Sequence, residues 1–422
     1  MSEIGAMGVR AIMNPILDND VHDRPIMDLN PFGLEFRSNP SHFHELMFKN
    51  SPGFIMMEGV RSAFVATYDH CISVLRDFKS FSSQKPKGLP GMQRVDFFNS
   101  LPVMNYSDPP DHTRRRKVVN PAFGPKRTAM LIDGASQLID RLLDKILPNG
   151  GMEVIGEFAR PIAVDTMLRQ FLGIDPKDHH IFLNYVQTLP LLDSIGLHDP
   201  KPKPYLDAWN AGKEYCREQQ ELARRGECEN LIGLIANTAE GGAISDDEMM
   251  AMMMVMLTGG FPTIAGALGA SLMNLARTPG LAERINETPS LSHNHLEETL
   301  RLNPPVSLVM RFAANDTDVG GTLIPQGTPV YVMIGAACSD PAVFPDPYRF
   351  DVDRPNAKNH ISFGTGVHTC IGNTIARPIV PLVLRKIAER APGMRLAGHD
   401  GDIRWNVGTP RARHIERLAV AF

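Results

Sequence analysis

Apolar residues recur at helical spacing through most of this chain and alternate only in short runs, so the pattern reads as helix-rich with minor sheet. Over residues 114–225 the spacing is mainly helical, with breaks at 148–151, at the polar stretch 175–180 and at the Pro-rich segment 200–204, which implies several helices in succession. Two apolar runs, residues 54–57 and 63–67, flank Glu58 and Gly59 as in a hairpin, and residues 69–78 read as a short helix after it. Residues 84–104, rich in Pro and Gly and without a steady period, read as an irregular loop, and long loops in compact domains are often functional.

Ser245 followed three positions on by Glu248 forms a capping box, which starts a helix immediately before a Met-rich apolar run. That helix is expected to reach Arg277; at about 1.5 Å per residue it is roughly 50 Å long, enough to cross a domain through its core. Another helix is expected over residues 291–302, stopped by Asn303, Pro304 and Pro305, with short strand-like pieces over 306–332. The expected fold class is mainly α with minor β.

Composition narrows the classes. With 422 residues, no repeat and no linker of biased composition, one large domain (31–422) after an N-terminal extension (1–30) is the simplest division. The hydrophobic fraction of 43% is enough for a core that encloses a cofactor, and a net charge of -4 offers no broad basic field for nucleic acid. Five widely spread cysteines, Cys71, Cys216, Cys228, Cys338 and Cys370, argue against a disulfide framework and for a reducing, cytoplasmic location. The longest apolar run, residues 249–257, is too short to cross a bilayer, and residues 1–25 lack the apolar core of a signal peptide, so no membrane association is expected.

Candidate chemistry concentrates in residues 363–377. Glycines there let backbone approach a flat ligand, and Cys370 stands just before the start of a helix, where backbone N–H groups favour a thiolate. Phe363, Gly366, His368, Cys370 and Gly372 match the cysteine-loop signature F-x-x-G-x-[HR]-x-C-x-G, and the segment closely resembles that of the cytochrome P450 family, of the soluble bacterial type. The resemblance extends from about residue 31 to residue 422. It implies a helix-rich triangular prism with small sheets, haem b (iron protoporphyrin IX) as cofactor, and Cys370 as the iron ligand; thiolate ligation favours O–O bond splitting.

Further motifs occur in the family's order. Glu298 and Arg301 resemble its E-x-x-R pair, and Arg354 the third member of a structural network behind the haem. Residues 108–116 resemble the segment that opens a haem-side helix; His112 and Arg116, with Arg311 and His368, are expected as a cationic set around two propionates, and Phe363 and Gly372 as further cofactor contacts. Arg114, Arg115 and Lys117 read as a solvated face or as part of a docking patch for an acidic electron donor. In the long helix, Gly259, Gly260 and Thr263 align with the oxygen-binding pattern, which implies catalytic roles for Gly260 and Thr263. Pro262 departs from it: the family usually has Asp or Glu there to relay protons, and proline also removes a helical bond to Thr258, so a local helix opening is expected.

By resemblance, an apolar substrate cavity is lined by Arg94, Val95, Phe97, Phe98, Leu189, Leu192, Met256, Gly259, Val306, Val309, Val407 and Thr409, and electrons come from a separate ferredoxin and its reductase to a monomeric enzyme. The leading expectation is a monooxygenase that inserts one oxygen atom by hydroxylation, O-demethylation or epoxidation. A peroxide-driven or non-oxygenating haem-thiolate enzyme, motivated by Pro262, and a haem-based binding or sensing protein stand as alternatives.

Overall fold

A computed structural model describes residues 25–57, 59–85, 98, 100–193, 195, 199–228, 230, 231, 233, 235, 244–409 and 411–422. Helices dominate. The hairpin expected near the start is β2 (Gly53–Met57) and β3 (Val60–Val65), followed by α1 (Tyr68–Arg76). β1 (Ile26–Met27) pairs in parallel with β2, so the sheet begins inside the extension expected over 1–30. β3 then pairs with β9 (Pro329–Val332), β9 with β6 (Val309–Ala313), and β6 with β4 (Phe81–Ser82), giving the order β1-β2-β3-β9-β6-β4.

The period-2 alternation of these strands places a small core on each face of the sheet. Ala63, Val65, Val330 and Val332 pack on one side, Phe64, Ala66, Tyr331 and Met333 on the other. Three smaller sheets complete the β structure: β10 (Arg395–Leu396), β13 (Ala419–Ala421) and β5 (Gly151–Glu153); β11 (Arg404–Trp405) with β12 (Ile415–Arg417); and β7 (Thr317–Val319) with β8 (Thr322–Ile324).

The main core lies among the helices α2 (Asp111–Val119), α3 (Pro125–Ile146), α4 (His179–Thr188), α5 (Lys203–Arg224), α6 (Asp246–Arg277), α7 (Leu291–Leu302) and α8 (Asn373–Arg390). Breaks fall where the sequence placed them: a 3-10 turn and β5 near 148–151, a 3-10 turn Pro176–Asp178, and α5 beginning at Lys203. Ser245 Oγ accepts from Glu248 N at 3.2 Å while Glu248 Oε2 accepts from Ser245 N at 2.8 Å, which starts α6 as the capping box requires. α6 is long and apolar enough to cross a membrane, although its longest uninterrupted apolar run is short; here it threads the core, buried nearly all round at 249–257 and 266–276.

α6 continues through Pro262 without a break. The opening expected there does not take the form of a helix interruption, because a proline removes one bond while packed turns on both sides hold the axis.

Candidate active site

Cys370 hangs from a tightly bonded loop. Its N–H donates to Phe363 O at 2.8 Å, Gly364 N to Ile361 O at 2.8 Å, and Thr369 N to Gly366 O at 3.2 Å. Gly366 has φ +71° and a Cβ there would stand 2.8 Å from Leu75 O, so both conformation and close approach to α1 demand glycine. Arg76, at the end of α1, fixes the loop from the other side by donating from Nε to Thr365 Oγ1 at 3.1 Å.

Surrounding protein atoms raise the pKa of the Cys370 thiol, yet the residue is exposed, so it borders open space. The N–H groups of Gly372 and Asn373, at the start of α8, donate to the sulfur, and with Arg116 and Arg377 they pull the pKa back down. Cys71, Cys216 and Cys338 are by contrast buried thiols whose pKa burial pushes up, Cys216 to about 12. Phe363 lies under the Arg377 guanidinium, 4.7 Å from its ring centroid, and beside the His360 ring at 5.7 Å. Glu297, which the sequence did not single out, accepts from Arg377 Nε at 2.8 Å and meets His360 Nε2 at 3.1 Å. These neighbours clamp the loop to α7.

The expected propionate set falls into two parts. His112 is buried, its ring 4.2 Å from that of His368, and among the described residues neither ring nitrogen has a hydrogen-bond partner. His368 Nε2 meets Ser83 Oγ at 2.9 Å, and Asp108 organises that corner by accepting from Ser83 N at 2.9 Å and Ser82 Oγ at 2.5 Å. Burial, with Arg311 and His112 next, lowers the His368 pKa to about 3; burial, then Arg116, lowers that of His112. Burial and the neighbouring arginines bias both imidazoles toward the neutral form, and a carboxylate paired with them would oppose that bias. Arg311 is buried and, among the described residues, donates from Nη1 only to the neighbouring Met310 O, at 2.8 Å. Arg116 spends its guanidinium on the cysteine loop, donating to Val367 O at 3.0 Å and Thr369 O at 2.7 Å, so in this arrangement it braces the loop.

The middle of α6 is where its burial fails. Gly259 is exposed, with no atom within 4 Å of where a Cβ would stand, while Gly260 is closed by Met167, whose Cε would lie 2.6 Å from a Cβ. Thr263 Oγ1 donates back to Gly259 O at 2.8 Å and lies 3.1 Å from Gly260 O. Gly259 thus leaves open space beside a core helix, away from its ends.

Of the expected pocket residues, Arg94, Val95 and Phe97 lie outside the described residues. Val306 bridges Ala412, Ser307 N donates to Arg411 O at 2.8 Å, and Arg411 pairs with Asp193, so the segments of Val306–Val309, Val407–Thr409 and Leu189–Leu192 are joined into one frame. Leu192 is fully buried and Phe98 and Met256 nearly so. These three belong to the main core.

The structural network is complete. Arg301 donates to Glu298 through Nε at 2.7 Å and Nη2 at 2.9 Å, and Arg354 Nε to Glu298 Oε1 at 3.0 Å. Remaining donors reach the carbonyls of Cys338, Pro345, Asp346, Pro347 and Arg349. Arg114 and Arg115 are not merely a solvated face: both grip Glu248 at the start of α6, at 2.5 and 2.7 Å.

These residues fit haem. Among the described residues no three His, Cys, Asp or Glu form a metal cage, so Cys370 offers a metal a single protein ligand, which suits an iron whose other ligands are its own macrocycle. The unpartnered His112 nitrogens and Arg311 suit carboxylates, and Gly259 leaves backbone open to a flat group. Fold and site together define a helical protein of the haem-thiolate class.

The comparisons agree. A family model described as Cytochrome P450 matches residues 291–390. The chain is 31% identical to cytochrome P450 107B1 of Saccharopolyspora erythraea over 76% of this chain and 77% of that one, and 30% identical to 6-deoxyerythronolide B hydroxylase of the same organism over 81% and 85%. It superposes on the cytochrome P450 PksS of Bacillus subtilis with a TM-score of 0.82 at 25% identity, covering 93% of this chain and 99% of that one. The chain belongs to the cytochrome P450 family of monooxygenases.

Proposed function

We propose that the protein is a haem b monooxygenase that inserts one oxygen atom into an apolar organic substrate, by hydroxylation, O-demethylation or epoxidation, with electrons from a ferredoxin and its reductase, as a cytoplasmic monomer. The observation that carries this reading is Cys370: a sulfur fed by two backbone N–H groups at a helix start and bordering open space. Haem bound there would supply the iron centre at which dioxygen is activated, and metal ligation removes the thiol proton that burial otherwise favours.

The chain's own residues take the remaining roles. His112 and Arg311, with His368 behind His112, hold the propionates; Arg116 and Phe363 stiffen the loop, and Gly372 stands beside the sulfur, where a Cβ would lie 3.7 Å from it. Thr263 keeps acceptor capacity while its hydroxyl donates to Gly259 O, so it can accept a hydrogen bond from a water and hold that water in place. Pro262 has nothing to titrate, so protons arrive through water and not through the side chain at that position. Gly259 leaves room for substrate and dioxygen, and Val306, Val309, Val407 and Thr409 frame the substrate.

The test is turnover of the purified enzyme with ferredoxin, reductase and NAD(P)H, with the carbon monoxide spectrum of the reduced form reporting thiolate ligation. Product that forms only with added peroxide sinks the reading and favours the peroxide-driven alternative that Pro262 motivates. Pro262→Glu sharpens the outcome: a several-fold gain in reductase-coupled turnover marks proton delivery as the limiting step.

A further inference from the structure

A second cavity, of about 250 Å³, lies apart from the cysteine loop and from the open stretch of α6; neither Cys370, His112 and Arg311 nor any residue of α6 lines it. It sits where residues 36–47 meet the end of α7, the segment after β9, and Arg413. At about 30 Å³ per water molecule it has room for roughly eight waters, or for an organic molecule of similar bulk.

Its lining is two-sided in chemistry. Phe36, Met47, Leu308 and Met333 make an apolar wall. Against it stand Arg413, Tyr348 and His44. Arg413 lies 4.5 Å over the Trp405 ring, its Nε is buried without a hydrogen-bond partner, and among the described residues no carboxylate pairs with it. Burial lowers its pKa with no acid nearby to oppose the effect. His44 does not share the charge: burial, and then Arg413, lower its pKa to about 4, and its Nδ1 lies 3.2 Å from the Tyr348 hydroxyl. A half-buried cation without a carboxylate partner among the described residues, beside an apolar wall, is complemented by one negative charge carried on an apolar body. A dianion such as phosphate would bring a second charge that nothing there offsets.

We propose that this cavity is a second ligand site, distinct from the catalytic pocket, for a small organic monocarboxylate whose head group pairs with Arg413 and whose short apolar tail lies among Phe36, Met47 and Leu308.

Octanoate is the probe, measured by equilibrium dialysis against the haem-loaded enzyme while the haem absorption band is followed in parallel. Saturable binding that leaves the band unmoved is expected, weakened about tenfold or more by Arg413→Gln. Gly335→Leu provides an independent arm: a Cβ at Gly335 meets nothing closer than 3.8 Å, so the longer side chain can enter the cavity and should also abolish binding. Both variants should keep the wild-type carbon monoxide spectrum, which shows that the fold and the haem site are intact. The proposal is overturned if wild type shows no saturable binding, if both variants bind as wild type does, or if binding and a haem-band shift share one midpoint, which would place octanoate in the catalytic pocket.

Discussion

Two assemblies of charged and polar groups build the cysteine side of this molecule, and they differ in how far the protein alone completes them. In the Glu298–Arg301–Arg354 network each carboxylate oxygen and each guanidinium has partners, and the three side chains are at most 5% exposed. Around His112 and His368 the packing is looser, with His112 and Arg311 buried and His368 half-buried, and among the described residues both nitrogens of His112 lack a partner and Arg311 reaches only the carbonyl of its neighbour. A buried polar group left unpaired costs about 1–3 kcal/mol, so the second assembly is worth keeping only if an occupant pairs it. The first holds shape, and the second receives a ligand.

Cys370→Ala tests the contrast most severely. Product formation and the thiolate carbon monoxide spectrum should both vanish, while the unfolding free energy of haem-free protein changes by about 0.5 kcal/mol or less, since the side chain borders open space. Urea titration of the haem-free variant beside its spectrum separates the two effects. Retained activity would remove the basis for assigning the loop to iron.

Glu298→Ala should do the reverse. It leaves Arg301 and Arg354 buried without a counter-charge and should cost about 3–5 kcal/mol of stability in the haem-free protein as well. A loss seen only when haem is present would mean that the network serves the cofactor and not the fold.

The division between the assemblies also explains what the sequence could and could not disclose. α6 and α7 were legible to the residue, because a capping box and a Pro-Pro stop are local signals. Cys370, Glu298 and Arg301 were legible because short spacings encode them. The charge state of His112 and His368 was not, since protonation depends on burial and on arginines brought in by folding. The second role of Glu248, as anchor for Arg114 and Arg115, and the pairing of Glu297 with His360 and Arg377 join distant segments, and no local pattern marks such partners. Leu192 was placed in the pocket by resemblance, and its burial in the core comes from long-range packing that no local pattern encodes.

A smaller effect is expected at the unpaired assembly. His112→Phe removes two unpartnered nitrogens, so the haem-free protein should lose no stability and gain up to about 1 kcal/mol, whereas haem release into an apo-globin acceptor should quicken about tenfold. If the variant is instead destabilised without haem, His112 has a structural partner and belongs with the complete network.

The smallest effect is a pH dependence at Glu248, which ties the helix bearing His112 to the start of α6. Hydrogen bonds from Arg114, then from the Ser245 N–H and Arg115, overcome burial and hold its carboxyl at about 2, below the ordinary 4.5. A depressed folded-state pKa contributes stability that is fully present above the unfolded-state value and is lost as pH falls toward the folded one. Glu248→Gln, which cannot titrate, removes that contribution at every pH. The stability advantage of wild type over this variant should therefore be constant above about pH 6 and shrink by about 1 kcal/mol by about pH 3.5, after discounting for the half-exposed Arg114. Urea unfolding of both proteins across that range reads the difference; an advantage that stays level as the acid titrates would show that Glu248 acts as a helix cap alone and that Arg114 and Arg115 do not couple the haem-side helix to α6.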